Sequence, residues 1–250
     1  MNIRGITFDL WDTLVHDDSD ERRRAAKGLR SKRDERRHLV WEALNADTPI
    51  NLDAVVLVYD AVDAAFNKVW KEHHITWPIS ERLEVIIKGL GRSRPQAWDA
   101  LVHDTSIMEV DMPPDIIEGC AEALQMLSKE FQLAIVSDAI VTPGTELRRL
   151  LEHHQIVDYF TAFAFSDEVG HSKPHPEMFT TVLDNMQLEP DEVVHIGDRD
   201  HNDIKGAQTM GMRAILFTAT RDVDAAATSA DAICPSYADL LETIQRLSSS

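Results

Sequence analysis

Cysteine is scarce in this chain: two in 250 residues, Cys120 and Cys234. They lie far apart and match no metal-binding spacing, which excludes a disulfide framework and a cysteine zinc site. Both read as reduced thiols, and the expected compartment is the cytoplasm. Long apolar runs are absent. No stretch approaches the roughly 20 residues that a membrane helix needs, so no membrane role is expected. The N-terminus Met1-Asn2-Ile3-Arg4 runs straight into a strand pattern, leaving no room for a signal peptide. Positive charge is the minority: 25 Lys and Arg stand against 43 Asp and Glu, a net charge of −18. That balance argues against a nucleic-acid partner. Internal repeats are missing, as is low complexity outside the Ser248-Ser249-Ser250 tail.

What remains is a chain with 44% apolar residues, enough for a packed core. Residues 5–10 read as a strand. From there to the Pro113-Pro114 break, helical period replaces strand signal. The pattern predicts helices over 19–46, over 52–73, from a Ser80 cap to about Leu90, and over 95–103. Residues 21–37 hold nine Lys or Arg against three acids. Such a basic helix on an acidic body attracts anions, or is a solvated face laced with i,i+4 pairs. From residue 115, helix and strand alternate. Strands are predicted at 133–136, 163–165, 193–196, 214–217 and 231–234, with helices at 116–129, 143–153, 176–186, 204–210 and 237–247. Repeated β-α units with short loops imply an α/β fold with a doubly wound parallel sheet. The early helical block is too long for a loop. It reads as an inserted helical cap over 16–112, on a core made of 1–15 and 113–250.

Four polar groups fall directly after four predicted core strands. They are Asp9 with Thr13, Ser137-Asp138, Lys173 in Ser172-Lys173-Pro174-His175-Pro176, and Gly197-Asp198 through Asn202-Asp203. Phosphoryl transfer needs these residue types. A carboxylate attacks phosphorus, and the rest is positioning and charge neutralisation. A hydroxyl (Ser137) and an ammonium (Lys173) suit phosphoryl oxygens. Carboxylates gathered at one sheet edge repel unless a hard cation joins them. Mg²⁺ takes carboxylates, carbonyls and water. Asp9, the Trp11 carbonyl and Asp198 would supply it, with Asp203 behind them.

Asp9-Leu10-Trp11-Asp12-Thr13-Leu14, Ser137, Lys173-Pro174-His175-Pro176 and Gly197-Asp198 with Asn202-Asp203 together resemble the haloacid dehalogenase superfamily of hydrolases. The resemblance covers nearly the whole chain and implies Asp9 as nucleophile, Ser137 and Lys173 as catalytic partners, and Asp9, Trp11, Asp198 and Asp203 around Mg²⁺. Trp11, Thr13 and Asp138 are expected beside the substrate, with the Asp138 side chain capping its own next turn.

One residue departs from the pattern. Family phosphatases carry Asp two positions after the nucleophile, as acid and base. Trp11 stands there, and an indole N–H does not titrate usefully. Asp12 is the adjacent substitute, though on extended backbone it would face away. His175 and His201 are further proton shuttles to test. The first functional expectation is therefore a Mg²⁺-dependent phosphatase of a small phosphorylated, or otherwise anionic, molecule. The alternative is a metal-free 2-haloacid dehalogenase, whose members also carry an aromatic at the Trp11 position. C–P bond cleavage would need a Schiff-base lysine that no context singles out. A binding or regulatory protein with a vestigial site would tolerate Trp11 but not explain Lys173 and Asp198. The sequence leaves the oligomeric state open.

Overall fold

The computed structural model describes residues 2–248. Six parallel strands form one sheet: β1 (Gly5–Phe8), β2 (Gln132–Ser137), β3 (Phe160–Phe165), β4 (Val193–Gly197), β5 (Arg213–Phe217) and β6 (Ala232–Cys234). Their spatial order is β3-β2-β1-β4-β5-β6. β1 lies between β2 and β4, with Phe8 in register with both Ile135 and Ile196. The chain leaves this central strand toward one edge of the sheet and later resumes toward the other. That makes the end of β1 the switch point, where open parallel sheets leave a crevice for ligands. Asp9 is the next residue.

Between β1 and β2 the chain forms α1 (Glu21–Ala26), α2 (Lys32–Asp47), α3 (Leu52–His73), α4 (Ile79–Gly89), α5 (Trp98–Ser106) and α6 (Met108–Asp111). Val40, Leu44, Val55, Tyr59, Leu83 and Ile86 build a core for this block separate from the cores on the sheet. The single helix expected over 19–46 is two. Gly28, at φ +70°, turns the backbone out of the helix. Ser31 then restarts it, its Oγ accepting from Asp34 N at 3.0 Å. Ser80 is not a cap; α4 begins at Ile79, after Pro78, with no side-chain cap. The basic stretch is mostly paired across elements rather than at i,i+4: Lys32 with Asp18 and Asp20, Arg36 with Glu109, Arg37 with Asp60.

The sheet is covered on both faces. Ile6, Phe8, Ile135 and Ile196 pack with α7 (Cys120–Leu127), α8 (Gly144–His153) and α12 (Tyr237–Ser248). On the other face Ala134, Val136, Ala214 and Leu216 meet α10 (Pro176–Met186) and α11 (Gly206–Thr209). A short α9 (Ser166–Val169) follows β3. The helix expected over 204–210 is shorter, because Asp200–Lys205 first forms a wider π-helical turn. Among the described residues, no helix is long and apolar enough to cross a membrane.

Candidate active site

β1 is buried along its whole length, and strand alternation sends Ile6 and Phe8 to one face and Thr7 to the other. Asp9 ends the ladder with its N–H donating to Ile196 O at 2.8 Å. Its carboxylate is buried and pairs through Oδ1 with Lys173 Nζ. The same ammonium donates to Asp203 Oδ1 at 2.7 Å. Thr13 Oγ1 makes a long 3.4 Å contact to Asp9 Oδ2. Lys173 is set by its backbone, whose N–H donates to Asp138 Oδ1 at 2.9 Å. The expected local cap by Asp138 is therefore replaced by a bond across two loops. Ser137 Oγ is buried with no hydrogen-bond partner.

The fourth strand delivers the other acids. Gly197 ends β4, and a Cβ there would collide with the Asp203 carboxylate. The π-helical turn carries Asp203 back over this glycine, and Arg199 N donates to its Oδ2 at 3.0 Å. Behind it, His195 Nε2 lies 3.4 Å from Asp203 Oδ1, and His195 Nδ1 lies 2.8 Å from Thr7 Oγ1. A polar relay thus runs Thr7, His195, Asp203, Lys173, Asp9. His195 was not among the expected site residues. Its signal was present: a titratable side chain inside the apolar run Val193-Val194-His195-Ile196.

Charge decides the state of the cluster. Burial opposes the charge on Lys173, but Asp203 and Asp9 outweigh it and hold the ammonium above its ordinary pKa. Burial likewise opposes the Asp203 charge, and Lys173 with His195 overcome it, so Asp203 stays ionised. Burial raises Asp9, partly offset by Lys173. Asp198 has no such partner. Burial, then Asp9 and Asp203, push it up to about 8. Its Oδ2 makes no hydrogen bond, and the nearest cations, on Arg221 and Arg199, stand 3.5 and 3.7 Å away.

One carboxylate oxygen from each of Asp9, Asp198 and Asp203 lies within 4.8 Å of the others. These hard oxygen donors, one of them unbonded, fit a Mg²⁺ ion. A cavity of about 250 Å³ opens over Asp9 and Asp203, with Asp198 behind its lining. Core and helical block both line it, among others through Asp9, Trp11, Arg36, Trp70, Thr142 and Arg199. Arg36 belongs to the basic stretch 21–37 read as attracting anions, whereas Trp70 and Thr142 carried no sequence signal. Trp11 is half-buried in the wall. Asp12 is neither extended nor in the lining: at φ 56° it turns aside, and its Oδ1 accepts from Asp17 N at 3.2 Å. His175 and His201 do not line the cavity either.

A buried lysine bridging two carboxylates, beside a third, at the switch point of a parallel sheet defines a hydrolase-type α/β site. The chain belongs to the haloacid dehalogenase-like hydrolase family, whose model matches residues 52–217. That match includes Ser137, Lys173, Asp198 and Asp203 and begins after Asp9. The chain is 26% identical over 223 residues to a glyceraldehyde 3-phosphate phosphatase of Pyrococcus furiosus, covering 86% of this chain and 80% of that protein. A protein of the same name from Methanopyrus kandleri is 29% identical over 150 residues. There the match covers 52% of this chain and spans 61% of the relative's length. Among solved structures, a HAD phosphatase from Thermococcus onnurineus superposes with a TM-score of 0.65 at 19% identity, covering 97% of this chain and 98% of the other.

Proposed function

We propose that the protein is a Mg²⁺-dependent phosphatase of a small phosphorylated metabolite, with Asp9 as nucleophile and the helical block as a cap over the cavity. The observation that carries this reading is the buried Asp198 carboxylate, its Oδ2 without a hydrogen bond, held beside Asp9 and Asp203. A metal-free dehalogenase would have to bury that charge next to the attacking carboxylate with only the half-exposed guanidinium groups of Arg221 and Arg199, at 3.5 and 3.7 Å, to offset it. Asp9, Asp198 and the Trp11 carbonyl would hold Mg²⁺, with Asp203 orienting the set. When bound, the ion neutralises phosphoryl charge.

An Asp9 oxygen attacks phosphorus, and the P–O bond to the leaving group breaks with its electron pair going to that oxygen. Water then attacks phosphorus of the aspartyl phosphate, releasing phosphate and restoring the Asp9 carboxylate. Lys173 and the free Ser137 hydroxyl hold the phosphoryl oxygens during both displacements. Lys173 also limits the repulsion between Asp9 and Asp203.

The leaving oxygen needs a proton unless it is already a weak base. Trp11 has none to give, and Asp12 is turned away. Asp17 lines the same cavity. Although the residue is exposed overall, desolvation of its carboxyl and Asp18 beside it push it up to about 6. Glu109 is committed to Arg36 and Lys32, and Asp138 to the Lys173 backbone. We assign Asp17 as the acid for alkyl phosphates.

Cavity volume suits a small ester, and the names of the relatives make glyceraldehyde 3-phosphate the first compound to assay. Phosphate release from it and from an aryl phosphate is expected with Mg²⁺, to stop with chelator, and to be lost in Asp9→Asn. Halide release from a 2-haloacid without metal would reverse the assignment to a dehalogenase.

A further inference from the structure

The ionisable groups around the cavity fall into two sets, according to the charges each one feels. At the nucleophile, Asp9 and Asp138 both lie in the fields of Lys173 and Asp203. Arg199 belongs to this end: its Nε stands 3.7 Å from Asp198 Oδ2, and its charge reaches Asp9. The other end is built by the segment after β1 and by the helical block, where Asp17, Asp18, Arg36 and Glu109 line the cavity. Lys32 stands behind them, paired with Asp18 at 3.0 Å, Asp20 at 2.9 Å and Glu109 at 3.4 Å. Arg36 Nη2 pairs with Glu109 Oε1 at 3.0 Å, and Glu109 Oε2 accepts from Thr142 Oγ1.

This second set carries an excess of negative charge. Its cations, Lys32 and Arg36, are shared among Asp17, Asp18, Asp20 and Glu109, and Glu109 already engages both. Each cation is thus committed to protein carboxylates rather than offered to an anionic ligand. Asp17 reports the potential at this wall. Desolvation, Asp18 and Glu109 all oppose its ionisation, against the pull of Lys32. A carboxylate or second phosphate brought in by a substrate would meet the same desolvation and the same neighbours. Like charges set together at an interface reject a partner. A hydroxyl or an ammonium, by contrast, donates to carboxylates.

We infer that the substrate's leaving alcohol carries no negative charge, and that Asp18 bars esters with a second anionic group. This inference rests on the phosphatase reading. With the phosphoryl group held at Asp9 and Lys173, the alcohol of a small ester extends into the part of the cavity that the second set lines. Asp18 is the member of that set left to act on the alcohol. Asp20 and Glu109 are buried in their pairs, whereas Asp18 is exposed and keeps one pairing, with Lys32. Asp17, next to it, is the proposed acid. The wall therefore selects among phosphate esters by charge, independently of the steps at phosphorus.

The test compares glycerol 3-phosphate with 3-phosphoglycerate, which differ by a hydroxymethyl group against a carboxylate. For each, kcat/KM is measured with the whole protein in saturating Mg²⁺, together with its inhibition constant against hydrolysis of an aryl phosphate, so that a slow ester is still read. The neutral ester should lead in kcat/KM by at least about tenfold, and the acidic one should inhibit more weakly. Asp18→Asn should narrow the ratio by at least about threefold, and added salt should narrow it in the wild type. Asp18 is exposed, so folding does not confound the variant. A ratio between two alkyl esters also cancels any change in Asp17. The proposal is overturned if the acidic ester is used equally well or better, or if the ratio is the same in Asp18→Asn. Hydrolysis of the aryl phosphate without the expected ratio sinks this inference alone. No aryl phosphate hydrolysis in Mg²⁺ overturns the phosphatase reading, and this inference with it.

Discussion

Asp198 is the residue whose ionisation costs the fold most openly. Its folded pKa of about 8 lies above the ordinary 3.8. Between those values the folded chain holds a proton that the unfolded chain has lost, so stability falls as pH rises through that window. Metal-free wild type should therefore lose melting temperature relative to Asp198→Asn between pH 5 and pH 8. Added Mg²⁺ should restore the wild type and leave the variant unmoved. A gap that stays constant with pH would mean the carboxylate is not stranded. Asp17 makes the second expectation at this scale. Removing general acid help slows a reaction by about 10²–10⁴-fold, so Asp17→Asn should slow alkyl phosphates by a factor in that range and aryl phosphates far less. Equal slowing of both classes would point to a structural role. Asp9, Ser137, Lys173, Asp198 and Asp203 were legible because each lies at the end of a strand or in the loop beyond it, at one sheet edge. His195 was harder to read. Its role depends on Thr7 and Asp203 meeting it on one face, which is a matter of register between β1 and β4.

At the scale of elements, the junction of β4 with its π-helical turn is the tightest piece of the site. Gly197→Ala would drive a methyl into Asp203. A loss of about 1–3 kcal/mol is expected from overpacking, together with weakened Mg²⁺ binding. Urea unfolding and metal titration measure the two effects, and near-normal values for both would show that Asp203 can move aside. Arg82 is one tie between the helical block and the core. This buried side chain crosses from α4 to Ile140 O and pairs with Asp63 Oδ1 at 2.7 Å. Its guanidinium also lies 4.2 Å above the Phe66 ring. Arg82→Ala should cost about 2–3 kcal/mol and raise KM, because Ile140 lines the cavity. An unchanged KM would detach this contact from substrate binding. Helix existence was plain from period, whereas the break at Lys27–Ser31 was hidden inside a stretch dense in basic residues. Gly28 and the Ser31 cap with Asp34 were the available signs.

For the whole molecule, alternation of strand and helix after residue 115 dictated the parallel sheet, and the unusual length between β1 and β2 announced a separate helical block. The cavity wall was out of reach of such patterns. Arg36, Trp70 and Thr142 converge through contacts between segments distant in sequence, and periodicity does not encode those angles. The family match spans Lys173, Ser137, Asp198 and Asp203 and leaves out Trp11; in the proposed mechanism Trp11 leaves the leaving group's proton to another residue. The central claim, attack by Asp9 on phosphorus with Mg²⁺ present, has one direct test. The enzyme is mixed with an aryl phosphate and Mg²⁺, quenched in acid within one turnover, reduced with borohydride, and the peptide containing Asp9 is weighed. A reduced side chain at position 9, absent with chelator and absent in Asp9→Asn, is the expected result. Phosphate release at full rate with position 9 unmodified would contradict it.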